Sequence, residues 1–223
     1  MADAPLLIAG LGNPGAQYAR NRHNVGFMAV DQIHDAYGFG PWRSKFQGEI
    51  SDGKLGGRRT SLIKPQTYMN ESGLSVGPAM RFLKLLPSCL VVLHDEIDLA
   101  AGKLKAKTGG GDAGHNGLRS VTAALGPDYH RVRIGVGHPG GKDRVHGHVL
   151  ANFAKADEEW LEPVLTAIAD AAPHFADNDM IGFMNKVALL LHPPELKPKP
   201  ELKPDPKPKP TSTPTPKNDP EQS

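Results

Sequence analysis

The sequence predicts an α/β fold: one domain with a mixed, largely parallel β-sheet flanked by helices, followed by a disordered C-terminal tail rich in proline and lysine. Three observations point there. Short apolar runs of strand length alternate with longer stretches whose apolar residues recur at helical spacing. Blocks of asparagine, histidine and carboxylate stand where those apolar runs end. The composition then changes abruptly at Pro193.

Strand-like runs cover residues 6–9, 60–63, 90–93, 103–107 and 132–136, with shorter candidates at 46–51 and 145–150. Helix-like stretches cover 25–37, 74–86, 118–125, 158–171 and 181–191, each with the length and spacing of an amphipathic helix. The domain is read as residues 1–192 and the tail as 193–223. Eleven of the last 31 residues are proline, with six lysines and five acids and almost nothing apolar, so the tail can sample extended conformations but has no core to bury.

At 223 residues and 39% hydrophobic content, the chain has enough material for one substantial core. A formal charge of +2 is too mild to announce nucleic-acid binding, so any basic footprint has to be local. Cys89 is the single cysteine; it excludes an intramolecular disulfide framework and a multi-cysteine zinc site, and suits a reducing cytosol. The first ten residues lack a basic start, and their apolar run is too short for a signal peptide or a membrane span. The expectation is a cytoplasmic protein with no membrane contact.

Gly10-Leu11-Gly12-Asn13-Pro14-Gly15 matches the G-x-G-x-x-G dinucleotide fingerprint after a strand, so a dinucleotide-binding oxidoreductase is the alternative reading. Against it, Pro14 stands where the phosphate-binding helix would begin. The acids about twenty positions on, Asp31 and Asp35, fall in a helical pattern rather than at the end of a second strand. Asn-Pro-Gly also makes a tight turn, with Asn13 either a simple turn residue or an amide held at the sheet edge for a ligand.

His23 precedes the helical run at 25–37 and has the side chain suited to general-base work near neutral pH. Asp95 follows a buried-strand pattern, at the carboxyl edge where open α/β sheets bind ligands, and could orient such a histidine. A turn or capping aspartate is the plain alternative. Asn70 has a similar double reading: it could cap a helix, or it could turn its amide into a cleft walled by Tyr68 and Met69. No serine or cysteine stands in a nucleophile setting, and the histidines spell no metal-binding spacing, so direct attack by water without a metal is the economical scheme. Lys103, Lys105 and Lys107 alternate, which in a strand puts three ammonium groups on one face. That face suits an anion, with Arg119, Arg131 and Arg133 near in sequence, or is an edge strand guarded by lysines.

Taken together, Gly12-Asn13-Pro14-Gly15, Tyr18, Arg22-His23-Asn24, Lys64-Pro65-Gln66-Thr67-Tyr68-Met69-Asn70, His94-Asp95-Glu96, Gly109-Gly110-Gly111, Gly114-His115-Asn116-Gly117 and the run from Arg133 to Gly140 resemble the bacterial-type peptidyl-tRNA hydrolase family, in order, over roughly residues 5–190. The resemblance implies a monomeric, metal-free and cofactor-free enzyme that hydrolyses the ester between a peptide and the 3′ end of tRNA. It assigns His23 as general base, Asp95 as the carboxylate orienting it, and Asn13 as the amide that tells blocked from free aminoacyl ends. Tyr18, Tyr68, Met69, Asn70, His115 and Asn116 match positions lining the peptide and acceptor-end site. Lys105, Lys107 and Arg133 match a cluster holding the tRNA 5′ phosphate, whereas Lys103 has no counterpart. Two positions depart from the pattern. Tyr68 stands where some relatives have phenylalanine, and Asp112-Ala113 interrupts a loop richer in glycine or histidine, adding a carboxylate expected to weaken phosphate attraction.

Overall fold

A computed structural model describes residues 4–193; the expected tail, apart from Pro193, lies outside the described residues. In chain order its elements are β1 (Leu6–Gly10), α1 (Val25–Tyr37), β2 (Arg43–Lys45), β3 (Gly48–Leu55), β4 (Arg58–Pro65), α2 (Gly73–Phe82), β5 (Leu90–Glu96), β6 (Leu104–Thr108), α3 (Asn116–Leu125), β7 (His130–Gly135), α4 (Lys142–Val149), α5 (Glu158–Ala171) and α6 (Met180–Leu191). Short 3₁₀ turns at Ala16–Tyr18, Arg22–Asn24 and Met69–Glu71 lie between strands and helices around the future site.

The seven strands form one sheet in the order β2-β3-β4-β1-β5-β7-β6. Its centre, β4-β1-β5-β7, is parallel, and β2, β3 and β6 add antiparallel edges. Every residue of β1 and β5 is buried, as expected for central parallel strands with helices over both faces. The two-residue period of β1 divides it between two cores: Leu6 and Ile8 face α1, α5 and α6, while Leu7 and Ala9 face α2 and α3.

From β1 the chain crosses to β4 on one side, and from β4 it returns past β1 to β5 on the other. The order reverses at the carboxyl ends of β1 and β5, which is where such sheets leave a crevice. Helix α1 packs tightly across this point. A Cβ at Gly26 would lie 2.3 Å from the Leu93 carbonyl oxygen and 2.6 Å from that of Leu11, so only glycine lets the helix start so close to both strands.

Some expected elements differ. Residues 145–150, read as a short strand, fall in and just after α4, where Val145 and Val149 share one helical face. Helix α2 ends at Phe82 rather than near residue 86, because Lys84 takes a left-handed backbone (φ 55°) before Pro87. The run expected at 46–51 is interrupted by a tight turn at Phe46-Gln47, and β3 begins only at Gly48. Strand β6 begins at Leu104, so Lys103 lies outside the lysine strand and its backbone NH bonds to the Ala100 carbonyl in a turn.

Candidate active site

The glycine-rich turn after β1 does not open a helix. Two 3₁₀ turns intervene, α1 begins only at Val25, and both Asp31 and Asp35 lie within α1, with Asp31 paired to Lys64 at 2.7 Å. No helix N-terminus stands at the glycines to receive a pyrophosphate, which removes the physical basis of the dinucleotide reading.

Asn24 closes this turn instead. Its Oδ1 accepts from the Asn13 backbone NH at 2.9 Å and its Nδ2 donates to the Asn13 carbonyl at 2.9 Å, both in buried surroundings. The Asn13 side chain is fixed in turn, because its Oδ1 accepts the Met69 backbone NH at 2.8 Å. A backbone NH can only donate, so the amide is oriented: its oxygen is engaged and its NH₂ group remains to donate into the cleft. Asn13 is therefore held from two other segments of the chain, more firmly than a turn residue needs.

His23 lies in the 3₁₀ turn that leads into α1, and Asp95 lies within β5, one residue before its end. His23 Nδ1 is 2.8 Å from Asp95 Oδ1. The same carboxylate oxygen lies 3.0 Å from His115 Nε2. His115 caps α3, and its Nδ1 accepts the backbone NH groups of Gly117 and Leu118 at 3.1 and 3.3 Å. These donors fix its tautomer, so Nε2 carries the hydrogen and donates to Asp95. Burial pushes the Asp95 carboxyl upward, but the charges and hydrogen bonds of His23 and His115 outweigh that and hold it well below the usual carboxylate range. An ionised Asp95 accepts from His23 Nδ1–H, which leaves His23 Nε2 as a bare acceptor. The His23 side chain keeps 12% exposure, so that nitrogen can be reached from the cleft.

One nitrogen of each histidine and an Asp95 oxygen lie within 4.8 Å of one another, close enough to converge on a cation. Their mutual hydrogen bonds already engage these groups, and His115 Nδ1 is committed to α3, so a metal would have to displace a connected network. Neighbouring His94 is buried; its Nδ1 lies 2.7 Å from the Asp95 carbonyl oxygen and donates to it. Burial, followed by the proximity of His115, lowers its pKa to about 3, so it stays neutral.

These groups stand at the floor of a cleft of about 690 Å³. All nine residues expected at the reaction centre and substrate walls line it: Asn13, His23 and Asp95, then Tyr18, Tyr68, Met69, Asn70, His115 and Asn116. Tyr68 is 58% exposed, Met69 is buried, and Asn70 makes no side-chain cap at either neighbouring helical turn, so its amide stays available. His115 has more to do than line a wall, since it holds both Asp95 and α3.

The basic cluster lies outside the cleft, at the β7-β6 edge. The β6–β7 register sets Lys105 opposite Arg133 and Lys107 opposite Arg131. Burial, then Arg131 and Arg133, lower the Lys107 pKa, as expected for a cation among cations. Arg131 itself is fully buried, and its guanidinium donates to the Gly110 and Gly111 carbonyls at 2.9 and 2.8 Å, so it supports the loop rather than a ligand. Asp112 faces Arg131 at 3.5 Å and accepts from Thr122 at 2.7 Å. Asp112 also acts on Lys107, whose charged form it favours, so this carboxylate stands within reach of the lysine cluster. Arg133 bonds Glu96, a cleft residue, at 2.8 Å, which ties the basic edge to the cleft.

Asn24 had no role assigned from the sequence, because a clasp between two backbone groups has no signature in residue type. The α4 wall, with His138, Lys142 and His146 at the rim, was also missed. The i, i+4 pair Val145 and Val149 was the available signal for it.

Comparison with known proteins agrees with this geometry. The family model described as Peptidyl-tRNA hydrolase matches residues 7–196. The chain is 60% identical over 188 residues to the peptidyl-tRNA hydrolase of Ruegeria pomeroyi, covering 84% of this chain and 79% of that one. It is 57% identical over 196 residues to that of Parvibaculum lavamentivorans, covering 87% and 96%. Among solved structures, the peptidyl-tRNA hydrolase from Acinetobacter baumannii superposes with a TM-score of 0.79 at 39% identity, covering 83% of this chain and 95% of that one. With a parallel-centred sheet, a His23–Asp95 pair at its carboxyl edge and relatives alike over most of their length, the chain is an enzyme that belongs to the peptidyl-tRNA hydrolase family.

Proposed function

We propose that the chain hydrolyses the ester joining a peptide, or an N-blocked aminoacyl group, to the 3′ end of tRNA, with His23 as general base. The observation that carries this is the 2.8 Å contact between His23 Nδ1 and an ionised, buried Asp95, which leaves the other imidazole nitrogen facing a cleft lined by amides. His23 Nε2 takes a proton from water as the oxygen attacks the ester carbonyl. The tetrahedral intermediate then collapses with cleavage of the bond to the tRNA 3′ oxygen, which leaves as a hydroxyl on taking a proton from the imidazolium or from solvent. The Asn13 NH₂ group, fixed by its bond to Met69, donates to the carbonyl oxygen as it gains charge. Asn70 and Asn116 bind the peptide amide next to the ester, and Tyr18, Tyr68 and Met69 wall the acyl group and terminal adenosine.

Lys105, Lys107 and Arg133 hold the tRNA 5′ phosphate, which adds affinity without sequence choice. We take the working unit as a monomer in the cytoplasm, where translation supplies the substrate. Among the described residues no helix is long and apolar enough to cross a membrane. We take residues 1–192 as the catalytic domain and 193–223 as an appended tail.

The test compares wild type and His23→Ala on N-acetyl-aminoacyl-tRNA and on unblocked aminoacyl-tRNA, with and without chelator. Chelator-resistant release of tRNA from the blocked substrate alone, falling about 10²–10⁴-fold in the variant with tRNA affinity retained, is expected. Loss of turnover on adding chelator, or equal loss of turnover and affinity in the variant, contradicts the scheme.

A further inference from the structure

A second groove, about 620 Å³, runs between α2 and α3 and shares Asn70 and Asn116 with the catalytic cleft. Its α2 wall is apolar and exposed. Leu74 and Pro78 line it, and the same helical face continues past the groove to Phe82 at four-residue spacing, with Leu74 and Phe82 52% and 61% exposed. At about 1.5 Å rise per residue this stripe extends for about 12 Å. Exposed apolar side chains aligned in this way mark contact surfaces more often than isolated ones do.

The groove also holds two cations, Arg81 on α2 and Arg119 on α3, whose guanidinium groups have no hydrogen-bond or ion-pair partner among the described residues. At its cleft end the two helices are pinned, since a Cβ at Gly73 would lie 2.2 Å from the Ser120 carbonyl oxygen. The groove is thus built into the helix pair. Gln47 lines it from the β2–β3 turn, where Phe46 and Gln47 both take positive φ (56° and 50°) and Phe46 packs on Phe82 at 5.2 Å between ring centroids. Tight hairpin turns of this kind normally take Asn-Gly, so two larger side chains are held there against backbone preference.

The position of the groove selects its occupant. The basic cluster occupies the β7-β6 edge and the ester-cleaving groups stand at β1 and β5, whereas Gln47 carries the groove's lining to the β2–β3 hairpin at the other edge of the sheet. A substrate entering with its phosphate on Lys105 and Lys107 places its RNA on one side of the ester and its peptide on the other. An apolar stripe with two cations suits a peptide better than RNA, whose phosphates would ask for a denser row of charge.

We propose that this groove binds the peptide part of the substrate, about four extended residues at roughly 3.3 Å each, with Arg81 and Arg119 selecting acidic side chains. The proposal rests on the ester-hydrolysis reading above. Hydrolysis is compared on one tRNA carrying either N-acetyl-aminoacyl or a five-residue peptide with two aspartates or two lysines. The variants are Leu74→Ser, the double variant Arg81→Ala with Arg119→Ala, and the double charge reversal to Glu. We expect the alanine pair to lower kcat/KM for the acidic peptide about 5–10-fold, the reversal to favour the lysine peptide, and Leu74→Ser to weaken both peptides, all without change on N-acetyl-aminoacyl-tRNA. Equal loss on every substrate, growing shallower with salt, assigns the groove to RNA and overturns the proposal. Variants indistinguishable from wild type on all peptides also overturn it, whereas a wild type that cleaves none of the substrates sinks the underlying hydrolase reading as well.

Discussion

Two sets of polar groups face the same cleft, and they differ in what holds them. Asn13, Asp95 and His115 are engaged inside the protein: each makes a hydrogen bond that fixes which atom it presents, and His23 is held through Asp95. Asn70 and Asn116, at the mouths of cleft and groove, are not held in this way. The fixed set acts by being oriented before substrate arrives, so that no reorganisation is needed at the moment of reaction. In the proposed scheme, the free set finds its partners in the substrate.

The comparison breaks most sharply at Asp95. Asp95→Asn gives the two histidines a neutral partner and removes the charge that favours the reactive tautomer of His23, so single-turnover rates are expected to fall about 10²–10⁴-fold with tRNA binding retained. A change confined to KM would put Asp95 in the binding set instead. At Asn24, Asn24→Ala leaves a buried NH and carbonyl of Asn13 without partners, a loss of about 1–3 kcal/mol measurable as a lower guanidinium midpoint. Turnover should fall with it, because the backbone that carries the Asn13 side chain is no longer clasped. Unchanged turnover would show that Met69 alone suffices to hold the amide.

His94 sharpens the comparison through pH. Its folded-state pKa of about 3 lies below the usual 6.5, so the unfolded chain binds the extra proton between those values. Stability is therefore complete above about pH 6.5 and declines as pH falls toward 3, by up to about 1.4 kcal/mol per unit. His94→Gln removes that titration and should lessen the slope of unfolding free energy between pH 7.5 and 5, leaving the part owed to His130, whose pKa burial also lowers; an undiminished slope would place the titration elsewhere. The smallest effect belongs to the basic edge. Lys105→Ala should reduce the slope of log affinity against log salt by about 1 for full-length tRNA, with Lys103→Ala as the silent comparison. Equal slopes for the two variants would dissolve the boundary drawn at Leu104.

What the sequence made legible follows the same division. Buried elements with strong periodicity were readable in place, as in 25–37 and 158–171, because apolar spacing records which face is covered. The hairpin tip at Phe46-Gln47 and the helix at Lys142–Val149 were not, since the first breaks the usual turn chemistry and the second is short and largely polar. In the site, residue types suggested a base, an acid and amides. They could not show that His115 shares the carboxylate oxygen of Asp95, or that Arg131 is turned inward to the Gly110-Gly111 loop while Arg133, half-buried, pairs with Glu96. Those facts depend on register across strands, which no local pattern encodes.

The distribution of the site along the chain has a consequence for its own synthesis. His23 and Asp95 are separated by 72 positions, and His115 lies 20 further on, so the three meet only when β5 has been inserted beside β1 and α3 has been capped. While it is being made, this protein is itself a peptide esterified to tRNA. A nascent chain that stops short of residue 115 has no assembled network, so it cannot cut the bond that anchors it. The enzyme becomes dangerous to peptidyl-tRNA only once most of its own domain has left the ribosome.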